Sequence, residues 1–336
     1  METMKLSYDE IRKEMKRVLV KHGFDETAAD ESAALFADNT VDGVASHGIN
    51  RFPRVISYIE KGYIHVNAVP TKTASLGALE KWDGNLGMGN LNAKHCMNRA
   101  VELAGEYGIG AVALRNTNHW MRGGAYGWQA ADAGFIGICW TNTQPNMPAW
   151  GAKDRRIGNN PFIIAVPRKN GHIVVDAAMA QYSYGKIEAT EYEGKQLPFP
   201  GGYDEDGNLT TDPASIMKTW RVIPIGFWKG SGFSIVLDLV AATLSEGNST
   251  YEVGKLGGDE FALSQMFIAI DIKKATSQDY AEKLMNDTIA DIKQSVPVSE
   301  QTRIMYPGEP ELMTRRSNLA TGIEVEDQVW QTITAL

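Results

Sequence analysis

Gly108-Ile109-Gly110-Ala111-Val112-Ala113 matches the letters of a dinucleotide fingerprint, G-x-G-x-x-A, in the wrong structural order. That fingerprint works where a strand runs in and a helix runs out, so that a pyrophosphate meets free helix N–H groups. Here a helical pattern, Ala100 to Tyr107, runs in and a β-rich run, Ala111 to Leu114, runs out. The glycines therefore read as a helix C-cap and turn. Gly87-Met88-Gly89-Asn90 does precede a helix, but lacks the third glycine and the acidic residue after the next strand. Trp228-Lys229-Gly230-Ser231-Gly232 lacks the upstream glycine of a P-loop. The chain is not built on either standard nucleotide-binding unit.

What remains is a change of texture along 336 residues, a length that suits two lobes. The front is helical. Ser7-Tyr8-Asp9-Glu10 is a capping box, followed by Ile11, Met15, Val18 and Leu19 at helical spacing until Gly23. A second helix is expected from Glu26 past Phe36 toward His47, and Pro53 suits the first turn of a third, continued by Val55, Ile56 and Ile59 to Gly62. From about Thr71, short β-rich runs appear at Ala111 to Leu114, Ile136 to Thr141, Phe162 to Val166 and Ile173 to Val175, with helical stretches such as Ala93 to Tyr107 between them. Ser234 to Leu244 reads as a buried helix, Met266 to Ile272 as a strand, and Val325 to Leu336 as a closing helical piece. This is a mixed α/β chain, without internal repeats, whose lobes interleave in sequence.

Charge and composition narrow the function. Lys and Arg number 33 against 41 Asp and Glu, a net charge of −8, which argues against a nucleic-acid partner. No apolar run is long enough to span a bilayer, no charged-then-apolar leader opens the sequence, and Cys96 and Cys139 lack metal or disulfide spacing. A cytoplasmic protein in a reducing compartment is expected. The six histidines show no HExxH or close pair, so no metal is expected. Asp204-Glu205-Asp206-Gly207-Asn208 has its glycine too early for a calcium loop and reads as a solvated turn.

Two stretches carry chemistry. Ser46-His47-Gly48-Ile49-Asn50-Arg51-Phe52-Pro53-Arg54 sets an imidazole four residues from a guanidinium. An arginine fork matches a carboxylate, and a histidine can protonate a carbonyl oxygen as hydride reaches its carbon. On these residues alone, a His-Gly helix end and a solvated arginine are the favoured reading. Asn116-Thr117-Asn118-His119-Trp120-Met121-Arg122-Gly123-Gly124 follows a strand, so its polar groups emerge where α/β proteins usually bind ligands, although an ordinary loop explains them as well. Lys229, at a helix start, suits an anion or a plain cap.

Longer segments point further. SHGINRFPR at 46–54, ALRNTNHWMRGGAYGWQAA at 113–131, IGICWTNT at 136–143, WGAK at 150–153, RIGNNPFIIAVP at 156–167, GFWKGSGFSIVLD at 226–238 and SQMFIAI at 264–270 together resemble the non-Rossmann malate/L-lactate dehydrogenase family over essentially the whole chain. The resemblance implies an α/β (α+β type) architecture: a mixed-sheet NAD-binding lobe over 72–230 with 258–275, and a discontinuous helical lobe over 1–71 with 231–257 and 276–336. It implies NADH rather than NADPH as cofactor, a small sugar keto acid as substrate, and a homodimer with its site near the subunit interface. His47 is then the proton donor. Arg51 grips the carboxylate, and Ser46, His119 and Arg122 are further substrate contacts. The cofactor-contacting positions are His172, Ile173, Val174, Val175, Asp176, Ala177 and Ala178, then Trp228 and Lys229, then Gly308, Glu309 and Pro310. The last group departs from the family pattern after its Pro-Gly pair, and Arg168-Lys169-Asn170-Gly171 differs in length and composition. Malate, lactate, ureidoglycolate or a cyclic imine acid are the alternative substrates. A non-catalytic sugar-acid binding protein is the alternative of another class.

Overall fold

The computed structural model describes residues 2–336. Its centre is a seven-stranded mixed sheet in the order Thr71–Leu76, Leu79–Asp83, Ile109–Thr117, Leu263–Asp271, Phe135–Thr141, Phe162–Val166, Ile173–Ala177. Leu79–Asp83 and Ile109–Thr117 run parallel, joined by the crossover helix Gly89–Tyr107, and every other neighbouring pair is antiparallel. Gly108 ends that helix at φ +89°, donating its N–H to the Ala104 carbonyl at 2.8 Å. The glycine pair is thus the C-cap its order implied.

Strand alternation divides the apolar residues between two layers. Val112, Leu114, Cys139 and Phe267 share one core with Ala93, Cys96, Met97 and Tyr126, from the helices Gly89–Tyr107 and Gly124–Asp132. Ala113, Trp140 and Met266 face the other way and pack with Leu237 and Ala241 of the helix Trp228–Ser245. The sheet is therefore the middle of three layers. One buried charge group staples the crossover helix to the sheet: Arg99 donates to both oxygens of Glu80 at 2.9 Å, and this pairing is the main reason the carboxyl is held down at about 2.

A second core unites the helices Tyr8–Lys21, Glu26–Val41, Phe52–Glu60 and Asp327–Ala335 around Ile11, Met15, Leu19, Phe36, Phe52 and Ile333. Both halves of the capping box at Ser7 and Glu10 are made. A short antiparallel pair, Thr3–Leu6 with Ile323–Glu326, closes this part. Neither strand is expected from the sequence: Thr3–Leu6 precedes the capping box, and Ile323–Glu326 runs into the stretch read as helical from Val325.

The helix Trp228–Ser245 differs from its sequence reading in two ways. It packs on the sheet, although residues from 231 onward were grouped with the helical lobe, and only one side of it is buried. Leu237 and Ala241 face the sheet, whereas Phe233 is 62% and Leu239 54% exposed. The second helix also stops earlier than expected, at Val41, and His47 lies on a separate 3₁₀ turn, Ala45–His47. No helix among the described residues is long and apolar enough to cross a membrane.

Candidate active site

The turn that presents His47 is held by the helix before it. Thr40 Oγ1 accepts the Ile49 N–H at 2.9 Å while donating to the Phe36 carbonyl at 2.7 Å, and Asn39 Nδ2 donates to the His47 carbonyl at 3.0 Å. Gly48 is required for this approach, because a Cβ there would lie 2.3 Å from Thr40 Oγ1 and 2.8 Å from its backbone nitrogen. Ser-His-Gly is thus a packing solution that fixes the direction of one imidazole.

That imidazole lies parallel to a second one. His47 and His119 stack with centroids 5.7 Å apart and planes 15° from parallel. His119 Nδ1 accepts the Met121 N–H at 3.0 Å, which leaves its proton on Nε2. His47 Nδ1 sits 3.1 Å from Ser46 Oγ. Burial pushes His47 down to about 4, and the positive charges of Arg51 and Arg122 act in the same direction. His119 is pushed well below its ordinary value by burial first, then by Arg51 and His47. Both rings are neutral at physiological pH.

Arg51, in the 3₁₀ turn before the helix Phe52–Glu60, is partly buried, and its guanidinium makes no hydrogen bond or ion pair among the described residues. Arg122 is different. It is 4% exposed, donates to Asp42 Oδ2 at 2.5 Å, and has Nε 3.9 Å from Asp176 Oδ2. The other Asp42 oxygen accepts Arg315 at 2.8 Å. Of the expected substrate contacts, Ser46, His119 and Arg51 gather around His47, whereas Arg122 already carries protein carboxylates. Asp42 and Arg315 were missed by sequence reasoning, since an Asp-Gly pair at a helix end looks like ordinary solvated chain.

The expected cofactor segments converge on one sheet edge. Ile173–Ala177 is the last strand; Val174 N–H donates to the Pro307 carbonyl at 2.9 Å, and Ile225 N–H donates to the Met179 carbonyl at 2.9 Å. The first bond sets Gly308 beside His172 and Val174, and the second sets the chain just before Trp228-Lys229 against Met179, next after Ala178. Gly308, at φ +93°, sits where a Cβ would be 3.1 Å from the His172 carbonyl and 3.3 Å from Trp128. His172 is engaged on both nitrogens: Nδ1 accepts the Arg168 N–H at 3.0 Å, and Nε2 lies 2.9 Å from Asp132. Asp176 connects this edge to the histidine pair. Its Oδ2 accepts the Gly124 N–H at 2.7 Å near Arg122, and burial raises its carboxyl above the ordinary range.

The fold and this constellation define a class. A family model for malate/L-lactate dehydrogenase matches residues 6–334, and the chain belongs to that family. It is 48% identical over 333 residues to the 2,3-diketo-L-gulonate reductase of Pasteurella multocida, covering 99% of this chain and 100% of that protein. To the protein of the same name in Escherichia coli K12 it is 46% identical, with the same coverage. Among solved structures it resembles malate dehydrogenase from Entamoeba histolytica, with TM-score 0.94 and 26% identity over 99% of this chain and 97% of that one. Sulfolactate dehydrogenase from Methanocaldococcus jannaschii gives 0.88 and 29%, over 98% and 95%. The mixed α/β architecture is thus shared with dehydrogenases of this family, and the chain is an oxidoreductase of the hydroxy-acid dehydrogenase type.

Proposed function

We propose that this chain reduces 2,3-diketo-L-gulonate to 3-keto-L-gulonate, with hydride delivered to the C2 carbonyl carbon and a proton from His47 to its oxygen. The observation that carries the reading is the stacked, neutral His47–His119 pair within electrostatic range of Arg51, an arginine with no protein partner. Full-length similarity to reductases of that name supports the choice of substrate.

Arg51 binds the C1 carboxylate through its planar fork. Burial is the main cause of the lowered His47 pKa; an anion on Arg51 offsets the next largest, the Arg51 charge, and shifts the pKa upward, so substrate binding favours proton uptake. In the reverse direction the neutral imidazole is already the base that accepts the hydroxyl proton. His119, with its proton on Nε2, donates a hydrogen bond to the substrate, and Ser46 Oγ orients the His47 ring.

The residues along the Ile173–Ala177 edge suit a nicotinamide dinucleotide. Val175 is exposed, Ala177 and Ala178 leave room above the strand, Gly308 keeps a cradle open beside Trp128, and the exposed Trp228 indole offers a stacking face. When bound, NADH supplies the hydride. Lys229 is exposed at the start of an 18-residue helix, where cation and helix N–H groups together suit a phosphate.

A second copy of the chain belongs to the same reading. Trp228, Phe233, Val236 and Leu239 leave an apolar face of that helix uncovered, continuous with the cofactor edge at Trp228, and a homodimer would bury it. Cys96 and Cys139 are buried free thiols, in keeping with a cytoplasmic setting.

The test follows loss of NADH absorbance with purified protein and 2,3-diketo-L-gulonate, beside pyruvate and oxaloacetate, with NADPH and His47→Ala as controls. Turnover of the diketo acid that collapses in the variant is the expected result. Preference for another keto acid would overturn the substrate, and no turnover with any would overturn the reaction.

A further inference from the structure

Glu260 is a buried acid without a partner. It lies in the 257–262 loop between the helix Thr250–Leu256 and the central strand, is 7% exposed, and makes no hydrogen bond or ion pair among the described residues. Its Oε1 is fully enclosed and unpaired, while Oε2, equally unpaired, keeps some access to solvent. A carboxyl kept in such a place costs folding free energy unless something satisfies it.

The loop is bolted beside Arg51 from both sides of Glu260. Asp259 accepts from Lys61 at 2.9 Å and from Arg54 at 3.4 Å, and the Phe261 ring stacks on Tyr63 at 4.7 Å with planes 9° apart. Lys61, Arg54 and Tyr63 belong to the helix that Arg51 precedes and to its exit. Burial raises the Glu260 carboxyl, and the positive charges of Arg51 and Arg54 oppose that shift without Arg51 closing to an ion pair with it. Two more acceptors nearby lack donors: Asn118 Oδ1, next to His119, and Gln265 Oε1, whose Nε2 donates to the Asn118 carbonyl at 3.4 Å. Asn118 Nδ2 in turn donates to the Tyr63 carbonyl at 3.1 Å, and Tyr63 stacks on Phe261, which links these two acceptors to the loop that carries Glu260.

We propose that Glu260 is a specificity-determining residue, accepting hydrogen bonds through Oε2 from hydroxyl groups of a polyhydroxylated 2-keto acid whose carboxylate Arg51 holds. The assignment rests on the function proposed above and adds the chemistry that tells a sugar acid from a short keto acid. Arg51 and His47 read only the carboxylate and the carbonyl, which all 2-keto acids share. An accessible, unpaired acceptor such as Glu260 Oε2 favours a ligand that brings an O–H donor, and stays unpaired around a ligand without one.

The experiment compares Glu260→Gln and Glu260→Met with wild type, reading KM for 2,3-diketo-L-gulonate and Ki for oxamate, a short keto-acid mimic without hydroxyls. The expected result is a rise of about 10- to 100-fold in KM, the loss of a hydrogen bond to a charged acceptor, with Ki for oxamate changed less than twofold. Equal losses for both ligands would show that Glu260 acts only through Arg51, and no change for either would remove it from the site; both overturn the assignment. Wild-type protein gives a second test that needs no variant. The ratio kcat/KM should favour a hydroxylated 2-keto acid over its deoxy counterpart of equal length by about 10-fold or more, and equal values overturn the assignment alone. Failure to reduce any 2-keto acid instead overturns the proposed reaction.

Discussion

Asp42 holds Arg122 at 2.5 Å through one carboxylate oxygen, tying the end of the second helix to the loop that follows the sheet strand Ile109–Thr117. With Arg315 on the other oxygen, the group spans three distant parts of the chain. Losing Asp42 leaves the buried Arg122 with only the distant Asp176, at 3.9 Å, so Asp42→Ala is expected to cost about 3–5 kcal/mol. Urea unfolding of the variant against wild type checks this, and a loss below about 1 kcal/mol, the level of a surface pair, would contradict it.

His47→Asn should lower turnover by roughly 10²- to 10⁴-fold, the range for a positioned proton donor, with the fold retained. In the oxidation direction, kcat/KM should show no inflection from His47 above about pH 5, because its free-enzyme pKa lies near 4. An inflection between pH 6 and 7 that disappears in the variant would contradict the neutral ground state.

The same depressed pKa makes a prediction for folding. The unfolded histidine takes up its proton near pH 6.5 and the folded one only near 4, so stability is lost as pH falls through that window and is unaffected by this group above it. The loss should be on the order of 2 kcal/mol after partial solvent screening. His119 acts in the same sense. The double variant His47→Asn/His119→Asn should unfold with a flatter pH dependence between 6.5 and 4, read by thermal melts across that range.

Arg51→Ala should raise KM for the keto acid by the worth of one charged hydrogen-bonded contact, about 1.5–3 kcal/mol. Because the Arg51 guanidinium is hydrogen-bonded to nothing in the protein and meets Glu260 only through the field, thermal stability should fall by no more than about 1 kcal/mol. A variant that melts early with unchanged KM would mark Arg51 as structural.

Gly308→Ala forces a side chain into a left-handed backbone position and against the His172 carbonyl. The strain should cost about 1–2 kcal/mol of stability. NADH affinity, measured by fluorescence titration, should fall while the Ki for oxamate stays the same. Loss of both together would place Gly308 in the general scaffold.

Much of the framework was legible because local chemistry decided it. The capping box at Ser7, the Gly108 C-cap and the runs that became Phe135–Thr141 and Phe162–Val166 need no distant partner to be read. Thr3–Leu6 could not be found this way, since a four-residue strand exists only through pairing with residues some 320 positions later. The helix Trp228–Ser245 misled for another reason: an all-round apolar pattern predicts burial on every side, and a single chain covers only the face carrying Leu237 and Ala241. In the candidate site, His47 and Arg51 could be picked out by residue type and spacing. Glu260 could not, because Gly257-Gly258-Asp259-Glu260 reads as a solvated turn until Lys61, Arg54 and Tyr63 fold over its neighbours.

The pairing of Thr3–Leu6 with Ile323–Glu326 also sets the order of events during synthesis. Ile11, Met15 and Phe36 leave the ribosome early, yet the core they build includes Ile323, Val325 and Ile333. The first helices must therefore wait, with apolar faces open, while the sheet between them and their partners is made. They are the part of the nascent chain most in need of a chaperone, and a stall anywhere before residue 323 would leave them unfinished.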